Sequence, residues 1–398
     1  MKKEQAFILT INGGSSSIKF AFYRVGKIPA RLLYGKIDRI GLEDSTFTFN
    51  NEKGVDQDVP EARVSDYHSS VIFLMDWLEK QVDFSLISGV GHRVVFGMKH
   101  TEPELVTQEL LNELHRIIPY DSDHLPAEIE LIEVFSQRYP NLSQVACFDT
   151  AFHHTMPRVA KLLSIPRRFD KIGIQRYGFH GLSYAWLIEE LARLAGKRVA
   201  NGRVILAHLG NGASLAAVFK GKSIDTSMGL TPAGGLMMGS RPGDLDPGVA
   251  WYIIKSENLT PEQFNNLINH ESGLLGISET SSDMRDLLNK EADDIRAAEA
   301  IALFCYQAKK WIGAFAAALG GLDTLVFSGG IGENCPVVRS RICEGLGFLG
   351  IGLSAKQNIK NAPIISKEKG SVTVRVIHTD EEWMIAKTVS QILNITKK

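Results

Sequence analysis

Two stretches share one pattern of apolar and polar positions: ILTINGGSSSIKFAF from Ile8 to Phe22, and ILAHLGNGASLAAVF from Ile205 to Phe219. Each begins as an apolar strand, passes through a turn of Gly, Asn and Ser, and continues as a second alternating strand, which is the pattern of a β-hairpin. Gly26-Lys27 closes the first and Gly221-Lys222 the second. Repetition at a spacing of 197 residues, counted from Ile8 to Ile205, predicts a chain of two related halves.

Between the hairpins the pattern predicts strands at YGKIDRI and STFTFN, a helix from Asp66 to Lys80 and a strand at SLISGVGHRVV. Helices follow over Gln108 to Ile118 and Ala127 to Tyr139, with Pro126 suiting the start of the second and Pro140 its stop, before the strand SQVACFDT ends at Asp149. The second half continues from its hairpin through SIDTS and a glycine-rich loop to helices from Pro247, Pro261 and Ser282. A long helix from Ala292 to Leu319 should stop at Gly320-Gly321, and the strands LDTLVFSGG and SVTVRVIHT lead to a last helix from Glu381. Strands and helices alternating in both halves predict an α/β protein with mixed sheets. The expected domains are 1–150, completed by the helix 381–398 packing back on it, and 151–380.

Composition narrows the partners. The 398 residues are 44% hydrophobic, enough for two buried cores, and 44 basic against 45 acidic residues leave a formal charge of −1. That balance supplies no field for nucleic acid or an anionic membrane, so any anion must be recognised locally. Cys147, Cys305, Cys335 and Cys343 form no CxxC pair, which speaks against a zinc site or disulfide framework and for a reducing cytoplasm. The opening MKKEQAFILTINGG reads as a first strand rather than a signal peptide, and no run approaches the roughly 20 apolar residues of a membrane span.

Glycines mark the places where chemistry is expected. The turns Asn12-Gly13-Gly14-Ser15-Ser16-Ser17 and Gly210-Asn211-Gly212-Ala213-Ser214 let backbone amides approach a phosphate closely. Either alone is a common hairpin turn; the repetition favours ligand binding. A third cluster, Ser328-Gly329-Gly330-Ile331-Gly332-Glu333-Asn334, lies where a strand meets a helix, the usual ligand position of α/β proteins. Other nucleotide signatures fail: Gly221-Lys222-Ser223 has Ala216 where a Walker loop needs glycine, and Gly345 to Gly350 matches GxGxxG but follows a helix.

Arg93, Asp149, His180 and Arg241 stand beside these turns. Two arginines suit a carboxylate and a transferring phosphoryl group, a histidine can donate to an equatorial oxygen, and an aspartate can orient a nucleophile or bind metal. Taken singly, each also reads as a salt-bridge partner or a buried hydrogen-bonded residue. His153-His154 point apart and receive no role, and Asp380-Glu381-Glu382 reads as a helix N-terminal acidic cluster from which one carboxylate can reach magnesium.

In order and spacing, NGGSSSIK, GHRVV, FDTAFHHTMP, RYGFHG, HLGNGAS, DTSMGLTPAGGLMMGSRPGDLDPG, SGLLGIS, SSDMRDL and SGGIGEN resemble the acetate kinase family from Phe7 to the last helix. The resemblance implies two duplicated actin-like (ribonuclease H-like) domains with an interdomain nucleotide cleft. It further implies a homodimer that moves phosphate reversibly between ATP and acetate or another short-chain carboxylate with Mg²⁺ or Mn²⁺. Carried over, it casts Asn12 and Glu381 as metal-associated, with Ser15, Ser17 and Lys19 in the first phosphate turn. Asp149, His180 and Arg241 take catalytic roles, while Arg93, Val95, His124, Phe179 and Pro232 surround the acid. The nucleotide segments are His208, Leu209, Gly210, Asn211 and Gly212, then Asp283, Met284 and Arg285, then Gly330, Ile331, Gly332, Glu333 and Asn334.

The chain departs from the family pattern at the acid pocket. Phe96-Gly97-Met98 stands where the family commonly has His-Gly-Gly, and Asp123-His124-Leu125-Pro126 where it commonly has Leu-His-Asn-Pro. A buried aspartate beside a methyl group is costly, so either Asp123 points away or the acid is not simply acetate. The expected reaction is direct in-line transfer of the γ-phosphoryl group to a carboxylate oxygen, with propionate as the near alternative. An actin- or Hsp70-like nucleotide switch is the alternative of a different class, and it has no need of the Arg93, Asp149, His180 and Arg241 set.

Overall fold

The computed structural model describes all residues except 1–4, 15–16, 27, 43–44, 52–56, 59–63, 65 and 396–398, and describes only the backbone of 57–58. Ser15 and Lys27 therefore lie outside the described residues. The chain divides into two compact units, Met1–Ala151 with Asp380–Lys398, and Phe152–Thr379.

The first unit carries strands β1 (Phe7–Gly13), β2 (Ser17–Arg24), β3 (Ala30–Asp38), β4 (Thr46–Asn51), β5 (Gln57–Asp58), β6 (Ile87–Val94), β7 (Glu104–Leu105) and β8 (Gln144–Phe148). They form one sheet in the order β5-β4-β3-β2-β1-β6-β8-β7. β1, β6 and β8 run parallel, while β2 and β3 continue antiparallel from β1. The second unit carries β9 (Arg203–Leu209), β10 (Ala213–Phe219), β11 (Lys222–Thr226), β12 (Thr324–Ser328) and β13 (Thr373–Val376), ordered β11-β10-β9-β12-β13. Here β9, β12 and β13 are parallel and β10 and β11 antiparallel. The orders β3-β2-β1-β6-β8 and β11-β10-β9-β12-β13 have the same sequence of pairings, so the repeat in the chain is a repeat of topology.

Both faces of the first sheet are covered, as parallel strands require. Val90 faces the cluster that contains Leu74, Met75 and Leu78 of helix Tyr67–Gln81, alongside Phe20, Phe47 and Phe49. Gly89 and Gly91 alternate with it on the other face, where a Cβ on Gly91 would collide with Ile385 and Val389 of helix Glu381–Ile392. The glycines thus let the last helix lie directly on the strands and bring its acidic first turn to their ends.

Helix Ile295–Leu319 starts three residues later than the periodicity suggests because Asp294 caps it, and it ends at Gly320, which adopts φ 69°. Helix Leu125–Arg138 starts earlier than expected, since Pro126 fits its first turn. Helix Gly181–Ala195 was not foreseen. It packs Tyr184, Leu187 and Leu191 against Val204, Leu206, Ala216 and Val218. Its start carries no ordinary signal: His180 precedes it at φ 59°, with no side-chain cap.

Candidate active site

Three parallel strands of the first unit each carry a polar residue beside their carboxyl end: Asn12 next to last on β1, Arg93 next to last on β6, and Asp149 immediately after β8. Carboxyl ends of parallel strands are where α/β sheets bind ligands. Arg93 Nε and Nη2 donate to Asp149 Oδ2 at 3.0 and 2.6 Å, and Nη1 donates to Asn12 Oδ1 at 3.2 Å. Asp149 is fully buried and the Arg93 side chain 16% exposed. Burial opposes the guanidinium charge, but Asp149 and Glu381 outweigh it and drive the Arg93 pKa upward. These bonds use three of the five guanidinium donors, and the other two have no partner among the described residues. The result is a fixed cation with one N–H to offer on each terminal nitrogen.

Helix Glu381–Ile392 supplies the acidic side. Asp380 caps it through Trp383 N, and Asn12 Nδ2 donates to Glu381 Oε2 at 3.1 Å and Glu382 Oε1 at 3.2 Å. Two carboxylates converging on one amide suit a hard cation. Among the described residues no group of three His, Cys, Asp or Glu side chains could cage a metal. The Asn12 amide turns its NH2 group to these carboxylates and its oxygen to Arg93, so Glu381 and Glu382 are the oxygen ligands on offer, few enough that a hard cation would keep waters and substrate oxygens in its shell.

Val95 is buried and donates its N–H to Glu128 Oε2 at 2.9 Å, while His124 Nδ1 lies 2.7 Å from Asp121 Oδ1. Leu125 is wholly buried, but Asp123 is only half-buried, so the full cost of a buried charge is avoided. Phe96 is buried and tilts against Tyr120, and Met98 adopts φ 50°, a conformation that glycine takes without strain. In the first hairpin Lys19 lies opposite Asn12 and is exposed, and Ser17 accepts the Gly14 N–H at its carbonyl.

The second unit gathers its own set. A Cβ on Gly212 would stand 3.2 Å from His180 Nε2 and 4.0 Å from Arg241 Nη2, so both side chains converge on the second hairpin turn. His180 Nδ1 is 2.8 Å from Ser214 Oγ, and its ring stacks on His208 at 4.3 Å. Arg241 Nη1 donates to the Pro232 carbonyl at 2.9 Å. A Cβ on Gly210 would lie 3.8 Å from Gly330 N, which places the third glycine cluster beside the second turn. Gly329 starts that cluster at φ 74°, where a side chain would strike the Leu209 carbonyl.

Within the expected nucleotide segments the side chains divide by role. Met284 and Leu209 belong to the core and Ile331 is half-buried, so Met284 and Leu209 offer only backbone. Glu333 bonds Ser328 Oγ, Gly329 N, Thr379 N and His378, which makes it a clamp inside the unit. Asn334 Nδ2 donates to the Gly330 carbonyl. Asp283 caps helix Met284–Lys290 and pairs with Arg285 at 2.6 Å, and that hydrogen-bonded pairing lowers the Asp283 pKa. Phe179 is buried, and its carbonyl meets His153 Nε2 at 3.0 Å. Burial pulls the His153 pKa down to about 4, so this histidine is a neutral core residue. Sequence reasoning missed Asp121 and Glu128, which no motif marks; Ser214 stood in the second turn and Glu382 in the acidic cluster, but neither was given its partner, His180 or Asn12.

Comparison with known proteins now bears on this geometry. The model of the Acetokinase family matches residues 7–387. The chain belongs to the acetokinase family. It is 42% identical over 388 residues to an acetate kinase of Rhodopseudomonas palustris, covering 96% of this chain and 97% of that one. It is 41% identical over 393 residues to a propionate kinase of Citrobacter rodentium, covering 97% and 96%. The crystal structure of Porphyromonas gingivalis acetate kinase superposes with a TM-score of 0.85 at 36% identity, covering 98% of this chain and all of that one. The acetokinase likeness also fixes the fold class as α/β with duplicated actin-like domains and mixed sheets.

Removing Asp149 should leave the Arg93 charge without its partner. Asp149→Ala is expected to lose about 3–5 kcal/mol in urea denaturation, and Arg93→Met in the same chain to recover part of it. A loss within roughly 0.5 kcal/mol for the single variant would show that the pair does not hold these strand ends.

Proposed function

We propose that the protein transfers the γ-phosphoryl group of ATP reversibly to acetate, giving acetyl phosphate and ADP by direct in-line displacement. One observation carries the reading: Arg93, anchored by Asp149 and Asn12, keeps one donor on each terminal nitrogen, a fork that matches a carboxylate. Acetate is already ionised near pH 7, so its oxygen needs positioning and charge neutralisation rather than a general base. Asp149 accordingly orients Arg93, with no proton to remove. Val95 offers an apolar wall to the methyl group, with Phe179 and Pro232 cast in the same role.

His180 and Arg241 act on the transferring phosphoryl group, because both side chains converge on Gly212 in the second glycine turn. Gly210 to Gly212 and Gly329 to Asn334 offer backbone to the nucleotide. Glu381 and Glu382, with Asn12 orienting them through its NH2 group, would hold Mg²⁺ or Mn²⁺, which when bound would supply neutralising charge to phosphate oxygens. Ser17 and Lys19, on the strand that leaves the first glycine turn, are cast beside the phosphates. Helix Pro247–Ser256 exposes Trp251 and Tyr252 by 65% and 66%, apolar surface of the kind a homodimer covers. No helix among the described residues is long and apolar enough to cross a membrane, and the cytoplasm is the proposed location.

Purified protein with ATP, Mg²⁺ and acids of one to four carbons should form acyl phosphate, trapped as hydroxamate, fastest with acetate; propionate in first place would transfer the assignment to that acid. Bound nucleotide with no acyl phosphate from any acid would sink the kinase reading in favour of a nucleotide switch. Arg241→Ala should keep the fold while turnover falls about 10²–10³-fold, and near-normal turnover would remove Arg241 from the mechanism.

A further inference from the structure

The wall behind Val95 holds more carboxyl groups than Arg93 can neutralise. Glu128 and Asp121 are 1% and 6% exposed, and each has one oxygen engaged, Glu128 Oε2 by Val95 N–H and Asp121 Oδ1 by His124. Glu128 Oε1 and Asp121 Oδ2 are buried with no hydrogen-bond partner, and so is the hydroxyl of Tyr67. A carboxylate oxygen left bare in the interior is among the costliest arrangements a protein can keep. A carboxylic acid is far cheaper there.

Asp121 stands on the turn before helix Leu125–Arg138, with His124 bonded to it. Arg93 comes from β6, Asp149 from the end of β8, and Tyr67 from helix Tyr67–Gln81. Glu381 bears on the same site through Arg93. Arg93, the Val95 N–H and the helix start favour a charged Glu128; burial, Asp121 and Asp149 oppose it. Burial is the largest influence, and it raises the Glu128 pKa well above the usual carboxylate range.

We propose that Glu128 is kept as a neutral carboxyl group with its proton on Oε1, and that this neutrality fixes the Val95 backbone while leaving the Arg93 charge to the substrate carboxylate. The kinetic part rests on the kinase reading; the protonation state does not. Glu128 acts through Val95 and Arg93, so it is a positioning residue. Loss of its proton would add a third negative neighbour to Arg93 beside Asp149 and Glu381 and weaken its hold on an anion. The effect belongs in KM for the acid rather than in kcat. Stability carries the same sign: the folded chain holds a proton that the unfolded chain releases in the ordinary carboxylate range. This contribution therefore falls as pH rises from that range until folded Glu128 ionises.

Infrared difference spectra of the substrate-free protein at neutral pH test the protonation directly. The wild type should show a protonated-carboxyl C=O band that Glu128→Gln lacks. In acetate titrations, wild-type KM should rise about tenfold as alkaline pH removes the band, with kcat little changed, while Glu128→Gln keeps a near-wild-type neutral KM that no longer rises. An absent wild-type band, a band that persists in Glu128→Gln, or the same KM rise in both proteins would overturn the proposal. If the variant does not fold, the wild-type titration still decides: the band lost with acetate affinity unchanged contradicts it. If no acid is phosphorylated at all, the kinase reading fails, and the infrared band alone still judges Glu128.

Discussion

The pairing of Arg93 with Asp149 is the constraint on which the rest of the proposed acid site depends. A guanidinium at the end of a central parallel strand is stable there only because a carboxylate at the end of the next strand meets it through two hydrogen bonds. Asn12, at the end of the neighbouring strand, takes a third and passes the arrangement to Glu381 and Glu382. The direction of the guanidinium is thereby set by three strands and one helix. Gly89 and Gly91 matter for the same reason, because they admit that helix to the sheet.

The second unit solves a different problem with the same topology. Its hairpin turn has glycines where the first unit has charged side chains, and His180 and Arg241 lean over Gly212 where a side chain would intrude. Repetition of the strand order thus yields two clusters with distinct chemistry, one set around a fixed cation and the other around a glycine turn, a histidine and an arginine; the proposed function gives the first to the acid and the second to the phosphoryl group.

Much of this was legible in the sequence where the signal was local. Alternation and turn glycines marked both hairpins, Gly320 marked a helix end, and the strand-to-helix glycine cluster fell where expected. The partnership of Asn12, Arg93 and Asp149 was not legible from spacing, because it follows from the order in which β1, β6 and β8 lie side by side. Helix Gly181–Ala195 escaped because it starts from a left-handed histidine instead of a capping side chain. Glu333 illustrates the reverse case: its motif suggested a ligand contact, but its carboxylate is spent on Gly329, Thr379 and His378. Nothing in the sequence singles out Glu128, an acidic residue in a first helical turn; its buried oxygen and its neighbours are visible only in the fold.

The central claim is that a fork of two N–H groups on Arg93 receives the acid. Lysine at this position keeps the charge but loses the planar fork. Steady-state kinetics of Arg93→Lys, with acetate and ATP varied separately, therefore tests the claim most directly. The expected result is a KM for acetate raised about tenfold or more, with the KM for ATP changed by less than about twofold. An unchanged KM for acetate in a folded Arg93→Lys protein would contradict the account.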